Sequence, residues 1–153
     1  MYFWKIDKLK EDIKAGRLTE KNRFLYALIY IVLGAVGIEF MKLMPIENGN
    51  LWDFVSSVSN VLLILIGTIC AFKANRATGG TDFLGKYFSI GLVITIRFIG
   101  YSIPLYLMLI FYFLYILDEE QELATSSSEV IISLIWCALL YWRICTHIKQ
   151  VNA

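Results

Sequence analysis

The chain has 153 residues, of which 58% are apolar and 18% charged, with a formal net charge of +1. An ordinary soluble domain is about 45 to 50% apolar, so the composition argues against a water-soluble globule and for a membrane protein. The near-zero net charge hides a sharp sorting of charges by region, and that sorting carries the topology.

The first 23 residues, MYFWKIDKLKEDIKAGRLTEKNR, place Tyr2, Ile6, Leu9 and Ile13 at helical spacing with lysines and acids between them. This is the pattern of a short amphipathic helix. Gly16 is the expected stop, and Thr19 followed by Glu20 is the expected cap of the next helix. An amphipathic helix of this kind belongs at a membrane surface, with its aromatics in the headgroup layer and its lysines toward anionic lipid. Trp4, Lys5, Lys8, Arg17 and, further on, Arg76 are the candidate contacts for lipid or a cytoplasmic ligand. Aromatics interleaved with basic residues also suit a nucleotide or single-stranded nucleic acid. The lipid reading is preferred, because the pattern is ordinary at bilayer surfaces.

Four stretches follow that are apolar over roughly the 20 residues needed to cross a bilayer core: 24–44, 51–72, 87–117 and 130–142. The first ends at Pro45, before the turn IENGN. The second carries Asp53, Ser56, Asn60, Gly67 and Cys70 at alternating steps near three and four, so they share one face. Small and polar residues on one face of a membrane helix normally turn toward protein, and a wetted, pore-lining face is the functional alternative. The connection KANRATGGTDFLGK has a glycine pair, then Thr81 and Asp82 as cap candidates. It lacks the spacing of a phosphate-binding loop.

The third stretch would run about 46 Å if straight, half as long again as the hydrocarbon core, with Gly100 and Pro104 as the expected hinge. Tyr106, Phe111, Tyr112, Phe113 and Tyr115 form an expected aromatic belt beyond it. The fourth has only thirteen uncharged residues between Glu129 and Arg143. It spans if both charges sit in headgroup layers. Tyr141 and Trp142 mark its inner boundary.

Basic residues cluster before the first span, in the second connection (Lys73, Arg76, Lys86) and in the tail (Arg143, Lys149). The first and third connections carry Glu47, Asp118, Glu119, Glu120 and Glu122 instead. Positive residues stay on the cytoplasmic side, so both termini and the middle connection are expected inside a plasma or inner membrane. The expected layout is an all-α, polytopic four-transmembrane-helix bundle: a cytoplasmic amphipathic segment at 1–23, the transmembrane domain at 24–146 and a cytoplasmic tail at 147–153. Cys70, Cys137 and Cys145 avoid the outer loops and are expected to remain thiols.

Arg97 is the anomaly. Counted from Tyr87 it lies about 15 Å into the span, near the midplane, where an arginine costs roughly 2.5 to 3.5 kcal/mol on insertion scales. Its guanidinium is therefore expected to face protein or water, with Glu39, Asp53 and Glu129 as candidate acids. As function, the polar set Arg97, Asn60, Glu39, Asp53 and Ser56 fits a small oligomeric ion channel or pore, gated from its basic cytoplasmic face. The alternative is a non-conducting interaction, immunity or assembly protein. In span number and basic cytoplasmic face alone, the layout resembles small membrane effectors of bacterial defence systems. One histidine, no CxxC pair and no paired intramembrane acids give no expectation of metal, cofactor or enzyme chemistry. A homo-oligomer in a lipid bilayer is the expected assembly, since four helices enclose too little space for a wide path.

Overall fold

The computed structural model describes residues 1–42, 50–116 and 126–152, with the side chains of 40–42, 78, 109–110 and 112–116 excepted. The described residues form five α-helices and one 3-10 turn, without strands: α1 (Ile6–Lys14), α2 (Glu20–Lys42), α3 (Leu51–Ala74), the turn Ala77–Gly79, α4 (Phe83–Ile116) and α5 (Ser127–Asn152). Helices α2 to α5 are each long and apolar enough to cross a membrane, and the chain is an all-α polytopic membrane protein.

The ends of the helices follow from local chemistry. Helix α1 stops where Gly16 takes φ +65°, a left-handed conformation open to glycine without a Cβ penalty. The Gly16 and Arg17 amides then donate to the Ile13 and Asp12 carbonyls at 3.1 and 2.9 Å. Thr19 Oγ1 accepts the Asn22 amide at 3.3 Å and so caps α2. At the start of α3, Asn50 Oδ1 accepts the amides of Trp52 and Asp53 at 2.8 and 3.0 Å, and the Asp53 carboxylate accepts the Asn50 amide at 2.7 Å. This reciprocal box satisfies donors that an apolar phase would leave bare.

Helix α4 has 34 residues, about 51 Å, and runs unbroken through Pro104. Helix α5 continues well beyond the thirteen uncharged residues to Asn152, so the segment 147–152 is helix. Its residues Ile144, His147, Ile148 and Val151 are buried.

Helix α3 packs most extensively on α5, α5 on α4 and α4 on α2, while α1 crosses α4 and α5. We call the end holding residues 14–23, 73–86 and 143–152 the basal end. The core lies there: Leu9, Tyr26, Ala71, Ile90, Leu92, Val93, Ile144 and Ile148 are fully buried. In the distal half, Val130 is the one buried side chain among the described residues.

Two glycines fix close approaches. A Cβ on Gly67 would lie 2.9 Å from Tyr141 Cε1 and nearer still to Cγ and Cδ1, so α3 and α5 meet as closely as they do because this side chain is missing. Tyr141 is buried on Gly67. A Cβ on Gly80 would run into the backbone carbonyl of Asn75.

Candidate functional site

Three groups of polar side chains stand out, and the first is built around α1. Its apolar residues Ile6 and Leu9 are buried in the bundle, and each end of the segment is tied to a different span. The Tyr2 amide donates to Tyr26 Oη at 2.6 Å on α2, and Lys10 Nζ donates to Gln150 Oε1 at 3.1 Å on α5. On α4, Arg97 donates to the Trp4 carbonyl oxygen from both Nε, at 2.9 Å, and Nη2, at 2.5 Å. The guanidinium carbon also lies 5.8 Å from the Trp4 ring centroid, within reach of a cation–π attraction. The indole packs edge-on to Tyr101 at 6.0 Å and closes over Gly100, where a Cβ would stand 3.1 Å from the ring.

Arg97 thus meets a backbone carbonyl and an indole brought by the amino-terminal segment. Gly100, read as a hinge, provides the flat seat for Trp4. Neither contact is legible from the third span alone, because both depend on where α1 docks.

Two carboxylates of α1 are paired at the surface. Asp7 meets Lys10 at 2.8 Å and Asp12 meets Arg17 at 2.8 Å. These hydrogen bonds hold both carboxyls below the usual aspartate range. The Asp12 carboxylate in turn raises the Tyr2 phenol. Lys5 and Lys8 are exposed.

The second group is a knot at the basal end that the sequence reading missed. Lys86 is 8% exposed, and its Nζ donates to Asn75 Oδ1 at 3.1 Å and Asn152 Oδ1 at 2.7 Å. Asn152 Nδ2 donates to Asn75 Oδ1, to the Ile148 carbonyl and to the Ala74 carbonyl at 3.0, 3.0 and 3.4 Å. Asn75 Nδ2 reaches the Thr81 carbonyl at 3.4 Å. Arg76, held at φ +65°, donates from Nη2 to the Asn152 carbonyl. One buried ammonium thereby joins α3, α4 and α5 through amide oxygens. Beside it, Arg23 of α2 pairs with Asp82 at 3.2 Å.

The third group is the polar stripe of α3. Ser56 and Asn60 are half-buried, and Asn60 Nδ2 donates to Ser56 Oγ at 3.3 Å along the helix. Asp53 serves the cap described above; the pattern Asn50-x-x-Asp53 before an apolar run was the signal for it. Gly67 stands two turns beyond Asn60 on the same face and packs on Tyr141, which directs the stripe toward α5. Glu39 is exposed on α2. Pro104 lies within α4, distal to Trp4. The acidic residues at 47 and 118–122 lie outside the described residues.

Depth can be read across the contacts. Phe98 on α4 faces Trp136 on α5 with ring centroids 5.0 Å apart, and Lys86 meets Asn152, so the two helices run antiparallel. Arg143 lies seven residues, about 10 Å, basal to Trp136. From Phe98 to Ile116, α4 retains 19 residues, about 28 Å.

Among the described residues, no three metal-ligating side chains cluster, and all three cysteines are free thiols. Comparisons of the chain with protein families, with curated proteins and with solved structures find no match.

Proposed function

We propose that the protein is a subunit of a small oligomeric channel, closed at its basal end in the conformation described, with that end in the cytoplasm. The observation that carries this reading is the contrast between the two halves. The basal half is a packed, hydrogen-bonded plug. The distal half buries only Val130 among the described residues, yet carries the half-buried stripe of Asp53, Ser56 and Asn60 on the α5-facing side of α3. Helices that leave their apolar surfaces uncovered need lipid or other subunits around them. In a ring of subunits, a polar stripe opening away from a sealed base makes a vestibule. Basic residues at 73, 76, 143 and 149 support the cytoplasmic placement of the base.

Opening would require the plug to loosen. The amino-terminal segment, residues 2–14, bridges α2, α4 and α5, and it is where a cytoplasmic signal would act.

A second reading is a non-conducting assembly subunit. It is favoured by the way Arg97 and Asn60 are both satisfied within the chain, by Trp4 and Ser56. Ion flux into liposomes carrying purified protein separates the two. The channel reading expects flux in the wild type, altered selectivity or rate in Asn60→Ala, and increased flux in Arg97→Ala, which releases α1. Absence of flux from all three, with a strict monomer in detergent, overturns it.

A further inference from the structure

The height of α1 along the bundle is set by contacts at both of its ends. Helices α2 to α5 come together at the basal end, where Arg23 meets Asp82 and Lys86 meets Asn75 and Asn152. α1 runs beside them, antiparallel to α4: Lys10 reaches Gln150, near the end of α5, while the Trp4 indole lies over Gly100. Gly100 is fourteen residues, roughly 21 Å, distal to Lys86. Helices α2 and α3 have 23 and 24 residues, about 34 and 36 Å, little more than a hydrocarbon core of about 30 Å. The amino-terminal segment therefore stands alongside the spans and not beneath them. Its inner side presents Ile6 and Leu9, buried in the bundle. The opposite side carries Asp7, Lys8, Glu11 and Lys14, all exposed, with the Asp7 side chain at 81%. Lysine stems are long enough to carry their ammonium groups toward the basal surface. An aspartate has no such reach, and an ionised carboxylate turned to acyl chains is strongly unfavourable.

We infer that this outer side of α1 is a contact between copies of the chain, turned toward the symmetry axis of the oligomer proposed above. Facing the axis keeps the four charged groups out of lipid at this height. The side is also self-complementary: two acids and two lysines share it, and Asp7 and Glu11 line an open concavity with Lys10, Lys14 and Gln150 that suits the Lys8 ammonium of a neighbouring copy. Residues beside a symmetry axis meet their own counterparts, so α1 of one copy lies near α1 of the next. Tyr2, Lys10 and Arg97 hold the segment to α2, α5 and α4, so a shift between copies is passed to three spans. The inference rests on the oligomeric half of the proposed function and not on conduction.

The test uses the full chain in liposomes, in a background lacking Cys70, Cys137 and Cys145. With a short bis-maleimide, Lys8→Cys is expected to link copies faster than Leu28→Cys, which is exposed on α2 two residues before Tyr30. Nitroxide labels at the same two positions should be relaxed mainly by a water-soluble nickel complex at position 8 and mainly by dissolved oxygen at position 28. Asp7→Lys with Glu11→Lys, and separately Lys8→Glu with Lys14→Glu, are each expected to lower the oligomeric fraction by about tenfold or more, and mixing the two variants should restore it. All four residues are exposed, and unchanged circular dichroism confirms that the variants fold. Equal linkage at positions 8 and 28, an oxygen-dominated label at position 8, or a mixture no more oligomeric than either variant alone overturns the inference. Linked copies that pass no ions would refute conduction and leave this contact standing, whereas ion flux with position 8 unlinked and in lipid would do the reverse.

Discussion

Replacing Gly67 by alanine tests the packing on which the basal plug depends. The added Cβ would stand 2.9 Å from Tyr141 Cε1 and closer to two other ring carbons, whereas carbon atoms in contact rest at about 3.5 to 4.0 Å. Helix α3 must therefore retreat by roughly 1 Å from α5, or the Tyr141 ring must leave its buried site. Either movement disturbs the Cys145 thiol, 3.9 Å from the Gly67 carbonyl, and the Thr68–Tyr87 hydroxyl pair at 3.2 Å. Overpacking of this kind costs about 1 to 3 kcal/mol. A central value of ~2 kcal/mol lowers the folded-to-unfolded ratio by about thirtyfold. Reversible unfolding of the purified protein in mixed micelles measures the cost, and a double-mutant cycle with Tyr141→Ala assigns it. The cost should fall by at least half in the Tyr141→Ala background, because the ring is what the methyl meets. An equal cost in both backgrounds, or none in the wild type, refutes the argument.

Gly80→Ala should be more damaging, because its Cβ meets the Asn75 carbonyl group and backbone yields less readily than a side chain; hydrogen exchange at 75–82 should rise sharply, and protection at the native level contradicts the prediction. In the basal knot, Asn152→Leu should destabilise more than Lys86→Met. The first leaves a buried ammonium short of an acceptor worth about 1.5 to 3 kcal/mol, while the second removes the buried charge itself; unfolding midpoints of the two variants decide the order. Because hydrogen bonds from Lys10 and Arg17 lower the Asp7 and Asp12 carboxyls below the ordinary value of about 3.9, their contribution is present above that pH. It is lost as pH falls through the lowered values. Hydrogen exchange of α1 should be constant from neutral pH to about 5, after correction for intrinsic rates, and accelerate below about 4; in Asp12→Asn the acid-dependent step should shrink.

The sequence made the four spans legible because each is a continuous local run. Thr19, Gly16 and the amphipathic spacing of Ile6 and Leu9 are likewise local signals, and each lies where the pattern placed it. The partners of Arg97 were not legible. Its acceptor is a backbone carbonyl 93 residues away, and every residue has one, so no side-chain inventory singles out Trp4. The knot was hidden for a similar reason: Asn75 and Asn152 look like polar ends of helices until α3 and α5 are seen side by side, 77 residues apart in sequence. That α5 runs on as helix to Asn152 was not legible, because a charge ends a hydrocarbon run without ending a helix. Arg143 and Lys149 sit on the exposed side while Ile144, Ile148 and Val151 keep the buried side apolar.

The central claim, that α2 to α5 cross a bilayer in alternating directions, is open to one direct measurement. In a background lacking Cys70, Cys137 and Cys145, single cysteines at Leu51, Ser127, Lys73 and Lys149 are labelled in sealed vesicles with a membrane-impermeant thiol reagent applied from one side at a time. The cysteines at Leu51 and Ser127 should react from one side, and those at Lys73 and Lys149 only from the other. Reaction of all four from the same side, or recovery of the chain in the soluble fraction, would contradict the account.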